Sequence, residues 1–172
     1  MKRIGMLLVL FAALLLPCGA AEKKTSGSCG VNISWGLENG VLTISGTGEM
    51  HNYIEHAPWW DSRDEITALV LEPGVTNLGD RAMQECENLQ WVSIGPDVTV
   101  LGRYALNECS ALQEITIPDT VTKIDGHCFQ DCTGLRSVRL PEGLTAIADS
   151  CFKGCSMLTE ISLPESLQTI GE

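Results

Sequence analysis

Basic residues are scarce. Lys and Arg total 11 against 22 Asp and Glu in 172 residues, giving a formal charge of −11 and a pI near 4.6. A nucleic-acid surface needs clustered cations to release phosphate counterions, so nucleic acid is excluded as a partner, and an anionic membrane surface would repel the chain. Histidines number three. His51 and His56 share a loop-like stretch with Asp61, His127 stands alone, and residues five apart do not share a helix face, so they read as polar loop residues rather than ligands or bases. No Gly-rich phosphate loop, Ser–His–Asp order or paired-carboxylate signature is present. No enzyme is expected and no cofactor is called for. Long apolar runs are limited to Ile4–Leu16, too short for a stable membrane span. Lys2 and Arg3 precede this run, and Gly19-Ala20-Ala21 and then Glu22-Lys23-Lys24 follow it, the pattern of an export signal over residues 1–21. The chain is therefore expected to be secreted or at the cell surface. A short membrane anchor and a lipid on Cys18 are alternatives, although Pro17 stands where lipid attachment wants a small residue.

What the chain does have is a repeat. Cys86, Cys109, Cys132 and Cys155 are each 23 residues apart. The same step links Val75, Val98, Val121, Leu144 and Leu167; Leu89, Leu112, Leu135 and Leu158; and Ile94, Ile117, Leu140 and Leu163. Each unit contains Leu-x-x-Val/Ile-x-Ile/Leu, whose last two apolar residues point the same way from an extended strand. A proline soon follows (Pro96, Pro118, Pro141, Pro164) and ends the strand. A second short extended piece and a compact turn complete the unit. The period lies within the range of leucine-rich repeats, and no unit can bury its apolar residues without a neighbour. These features predict a β-rich leucine-rich-repeat solenoid with short turns or 3-10 segments and about four full 23-residue repeats.

Stepping back from Leu89 reaches Ile66, so the repeats are expected over residues 66–172, with a truncated fifth unit at 167–172. Residues 22–65 read as a linker and N-terminal cap. Within them, Val31–Trp35 and Val41–Ile44 flank Glu38-Asn39-Gly40, a strong hairpin signal. No polar cap follows Leu167 and Ile170, leaving an open end for self-association or marking a fragment of a longer chain.

The segment Val121-Thr122-Lys123-Ile124-Asp125-Gly126-His127-Cys128-Phe129, running through Cys132 and Leu135 to Leu140-Pro141, resembles the BspA-type (treponemal-type) leucine-rich repeat. Cys29-Gly30, Trp35, Gly40–Gly48 and Ala57-Pro58-Trp59 are similar to the segment that often precedes such repeats. The resemblance covers residues 29–172. It departs at Met83 and Leu106, where Phe is usual, and at Cys128 and Cys151, where Ala is usual. It implies a secreted or surface protein, mostly of bacterial kind, some of whose relatives act as adhesins toward matrix proteins or cells.

Cys128, Cys132, Cys151 and Cys155 have near-zinc spacing, but the 23-residue step alone produces it. Stacked cysteines such as Cys109 and Cys132 would lie about 4.8 Å apart with parallel side chains, a strained disulfide. Buried free thiols are the expected state, and no metal site is expected. Trp59 and Trp60 suit either a cap or sugar stacking. Asn32-Ile33-Ser34 is a glycosylation sequon that matters only in a eukaryotic host. The outward strand positions change from repeat to repeat: Trp91 and Ser93, Glu114 and Thr116, Ser137 and Arg139, Glu160 and Ser162. A constant core with a changing outer face predicts a non-catalytic module that binds an extracellular protein or glycan through its strands. A structural spacer that self-associates through its C-terminal repeat is the alternative.

Overall fold

A computed structural model describes residues 23–172; the export-signal reading of residues 1–21 and the lipid alternative at Cys18 lie outside them. Asn39 and Gly40 adopt φ of 50° and 80°, the left-handed pair that a tight hairpin turn requires. They join β2 (Ile33–Glu38) to β3 (Val41–Gly46), which pair antiparallel, with β1 (Ser26–Ser28) on the outer side of β2. After a 3-10 segment at Trp60–Glu65, the chain repeats one pattern. The strands of the first face are β4 (Ala68–Leu71), β6 (Trp91–Ser93), β8 (Glu114–Thr116), β10 (Ser137–Arg139) and β12 (Glu160–Ser162). Those of the second face are β5 (Asn77–Leu78), β7 (Val100–Leu101), β9 (Lys123–Ile124), β11 (Ala146–Ile147) and β13 (Thr169–Ile170). No helix among the described residues is long and apolar enough to cross a membrane.

The hairpin is the N-terminal cap, and it extends the sheet of the repeats. Val41, Leu42, Thr43 and Ile44 of β3 pair in parallel with Ala68, Leu69, Val70 and Leu71 of β4, giving one sheet in the order β1-β2-β3-β4-β6. Trp35 and Trp59 close its inner side, edge to face with ring centroids 5.6 Å apart, and the Trp59 indole N–H donates to the Ala82 carbonyl at 2.8 Å. Trp59 therefore fills the cap role. Its neighbour Trp60 does not: it is half-exposed, stacked on His56 at 3.7 Å and covered by the Arg63 guanidinium at 4.3 Å.

Inside the coil, apolar residues stack in columns one turn apart. Leu89, Leu112 and Leu135 are wholly buried, as are Val75, Val98 and Val121, and Met83, Leu106 and Phe129. Each burial contributes roughly 1.5–3 kcal/mol, but only because the next turn covers it. The seven cysteines from Cys29 to Cys155 are free thiols, all buried except the half-buried Cys155. Their repeated placement has a polar reason as well as a steric one. The Sγ atoms of Cys109, Cys132 and Cys155 donate to the carbonyls of Met83, Leu106 and Phe129 in the preceding turn, at 3.3, 3.0 and 3.1 Å. Burial pushes the thiols of Cys86 and Cys151 up to about 12, and that of Cys155 to about 11.

The compact turn of each unit has a geometry that its residue types do not announce. Arg81, Tyr104, His127 and Ser150 all have φ between 54° and 61°, and Glu85, Glu108, Asp131 and Gly154 between 58° and 76°. Two left-handed residues per turn, seven of the eight not glycine, cost roughly 1–2 kcal/mol each in isolation. Main-chain bonds between turns hold them. The N–H groups of Arg81, Met83 and Glu85 donate to the carbonyls of Arg103, Ala105 and Asn107, and those of His127, Phe129 and Asp131 to Asp149, Cys151 and Lys153.

Candidate binding face

Alternation along each short strand turns one residue inward and the next out. On β8, Ile115 is buried between exposed Glu114 and Thr116; on β10, Val138 is buried between half-buried Ser137 and exposed Arg139. The parallel register aligns Glu114, Ser137 and Glu160 in one outward column and Thr116, Arg139 and Ser162 in a second. Trp91 and Ser93 head the same two columns on β6, and Trp91 is 55% exposed. All eight strand-face residues singled out in the sequence thus lie on one side of the molecule. Arg139 reaches Asp119 at 3.5 Å, an exposed contact that holds the guanidinium only weakly.

The face runs on toward the N-terminus beyond β6. Trp91 pairs with Ala68 and Ser93 with Val70, and these pair in turn with Val41 and Thr43 of the hairpin. Ala68 and Val70 were within reach of the 23-residue step. Val41 and Thr43 were not, because the hairpin joins the repeats at a spacing of 27 residues. Beyond them lies a groove of about 740 Å³ lined by Thr25, Gly36, Leu37, Glu38, Asn39, Val41 and Thr43. A Cβ built on Gly36 would meet nothing within 4 Å, so the groove floor is open.

The remaining charged and aromatic clusters are of other kinds. On the turn side, Tyr104 stacks on His127 at 4.5 Å, the Arg81 guanidinium lies 4.5 Å from the Tyr104 ring centroid, and His127 Nδ1 meets Gln130 Oε1 at 2.7 Å. One turn-edge column is acidic: partial burial raises the Glu108 carboxyl above its ordinary range, with Glu85, Asp131 and Glu87 adding repulsion. Cys128, Cys132, Cys151 and Cys155 fall in two stacked columns, and the Sγ atoms of Cys132 and Cys155 are spent on main-chain carbonyls. His51 is exposed, and His56 is taken up in the Trp60 stack.

A family model described as "BspA type Leucine rich repeat region" matches residues 60–172 in six copies, where the strict 23-residue step counts four full units and two partial ones. No curated protein matches the chain. Among solved structures, a leucine-rich repeat protein from Eubacterium ventriosum is 30% identical, with a TM-score of 0.75 over 84% of this chain and 39% of that one. A leucine rich cell surface protein from Faecalibacterium prausnitzii is 26% identical, with a TM-score of 0.59 over 82% of this chain and 43% of that one. The leucine rich repeat protein of T. pallidum shares the fold at 21% identity, with a TM-score of 0.55 over 81% of this chain and 83% of that one. The chain thus spans about two fifths of the length of the first two.

Proposed function

The chain belongs to the BspA-type leucine-rich-repeat family, and from that premise we propose that it is a non-catalytic binding module, secreted or held at a cell surface, that engages an extracellular protein or glycan through its strand face. In this reading residues 1–21 are an export signal, residues 22–65 cap and lead into the coil, and residues 66–172 form the binding repeats. One observation carries it. The inward columns stay apolar from turn to turn, while the outward positions go from Trp91 to Glu114, Ser137 and Glu160, and from Ser93 to Thr116, Arg139 and Ser162. A rigid sheet presenting varied side chains loses little entropy on association. The Faecalibacterium relative, described as a cell surface protein, supports the location.

The test is binding of the purified chain to a panel of immobilised extracellular-matrix proteins and glycans, alongside the Trp91→Ala, Arg139→Glu double variant. Saturable binding that the variant loses supports the reading. Binding that a folded variant keeps moves the site off this part of the face, and no binding by a folded chain overturns the reading.

A second reading has its own observation. Ile161, Leu163 and Ile170 are 37%, 51% and 65% exposed, and together they present an apolar end with an unpaired parallel strand on each face. A second copy seated there would make the chain a self-associating spacer. Sedimentation across a hundredfold concentration range should then show association that Ile170→Asp abolishes; a monomer throughout overturns this reading.

A further inference from the structure

The strand face has a seam. Its hydrogen-bonded ladder runs from β1 to β6 and then stops; a separate sheet begins at β8 and continues through β10 to β12. The same place is marked in the core, where Val92 and Ile94 are only partly buried although their counterparts Ile115 and Ile117 are 4% and 0% exposed. Gly95 shows which side β6 is held to. A Cβ on it would lie 2.6 Å from the Leu71 carbonyl oxygen, so this turn sits tight against the one before it. The corresponding position holds Pro118, Pro141 and Pro164 in the later turns.

A cavity of about 410 Å³ opens beside the seam, lined by Gln90, Ala111, Gln113, Glu114, Arg136 and Ser137. Gln90, Gln113, Glu114 and Arg136 are exposed, and among the described residues none of these four side chains hydrogen-bonds or ion-pairs with another. Trp91 is not part of the lining; it follows Gln90 directly and is 55% exposed, at the strand position one 23-residue step before the lining residue Glu114. Two amides, a carboxylate and a guanidinium are planar groups that bind adjacent hydroxyls in pairs, and an indole face takes up the apolar C–H face of a sugar ring. The volume lies in the range of small-ligand sites. Glu114 and Arg136 balance in charge, and the strongly acidic chain disfavours an anionic sugar.

We propose that this seam is a subsite for a neutral glycan, with a pyranose stacked on Trp91 and its hydroxyls bound by Gln90, Gln113, Glu114 and Arg136. The proposal rests on the reading of the strand face as the binding surface, and its test separates the two. The chain is titrated with cellobiose, lactose, maltose and chitobiose while tryptophan fluorescence is followed, and its binding to matrix proteins is measured before and after enzymatic deglycosylation. Saturable binding of at least one disaccharide is expected. Trp91→Ala and Gln113→Ala should weaken it about tenfold, a change of 1.4 kcal/mol, whereas Lys153→Ala, at an exposed position in a compact turn, should leave it unchanged. No disaccharide binding, or binding indifferent to Trp91→Ala, overturns the glycan subsite. If deglycosylated matrix proteins still bind and Arg139→Glu still abolishes that binding, the strand-face reading survives the loss of this one.

Discussion

The middle and the last turn of the coil follow one template and differ in almost nothing but their neighbours. Ile115 and Val138 are 4% and 2% exposed, whereas Ile161 at the same position is 37% exposed. Ile117 and Leu140 are 0% and 1% exposed against 51% for Leu163, and Ile124 is 3% exposed against 65% for Ile170. Residue type is nearly constant in each column. In this architecture, burial is therefore conferred by the adjoining turn, and so is the stability that burial brings. The N-terminal end shows the other solution, since the hairpin supplies a strand, two tryptophans and a paired edge to the first repeat.

The strongest way to break this comparison is to truncate one column at its two extremes. Ile117→Ala should cost about 2–5 kcal/mol, the usual range for emptying a filled core position. Leu163→Ala, at the same place in its turn, should cost under about 0.5 kcal/mol. Urea unfolding of both variants measures the difference, and equal losses would mean that the last turn is covered in solution.

The thiols sharpen the contrast through pH. Burial raises the folded-state pKa values of Cys86 and Cys151 from about 9 to about 12. Below pH 9 folded and unfolded thiols are alike protonated, and their contribution is fully present. Above it the unfolded chain ionises first, so the urea midpoint should fall steadily between pH 9 and 12. Half-buried Cys155, raised only to about 11, should be the first thiol to react with a disulfide reagent in the native protein at pH 8. Uniform reactivity of all the described cysteines would show that the turns open together.

The smallest effect is expected at the left-handed turn positions. Gly154 occupies in the last turn the place that Glu108 occupies in the middle, where φ is 61° and neighbouring carboxylates crowd it. Glu108→Gly should relieve backbone strain of about 1–2 kcal/mol and charge repulsion, offset by the greater freedom of glycine in the unfolded chain. A net gain of up to about 1 kcal/mol is expected, a rise in Tm of roughly 2–4 °C. A clear loss of stability would show that the hydrogen bond between Glu108 and the Asn107 side chain outweighs the strain and repulsion.

The 23-residue step made the core legible, because stacking demands that each buried position recur. Alternation along a strand likewise sets Glu114, Thr116 and Arg139 on the outer side of buried Ile115 and Val138. Three features were beyond it for physical reasons. Strand β1 is Ser26-Gly27-Ser28, with no apolar residue to mark it, and it exists because β2 offers an edge. The left-handed turns are filled by Arg81, Tyr104 and His127, residue types that signal nothing of the kind, and their N–H groups donate to carbonyls of the next turn, which holds them there. The seam between β6 and β8 falls within perfect phase; Gly95 in the prolines' column was a faint trace of it, readable only once the Leu71 carbonyl is seen against it.

The bonds that join turn to turn run along the axis of the coil. A pull on the two ends in that direction sets the interfaces in series, so each carries the whole force and the weakest yields first. Extension should therefore proceed by shedding single turns, each freeing 23 residues and lengthening the chain by about 80 Å. A molecule built this way yields to tension one turn at a time, while the remaining turns keep their stacking.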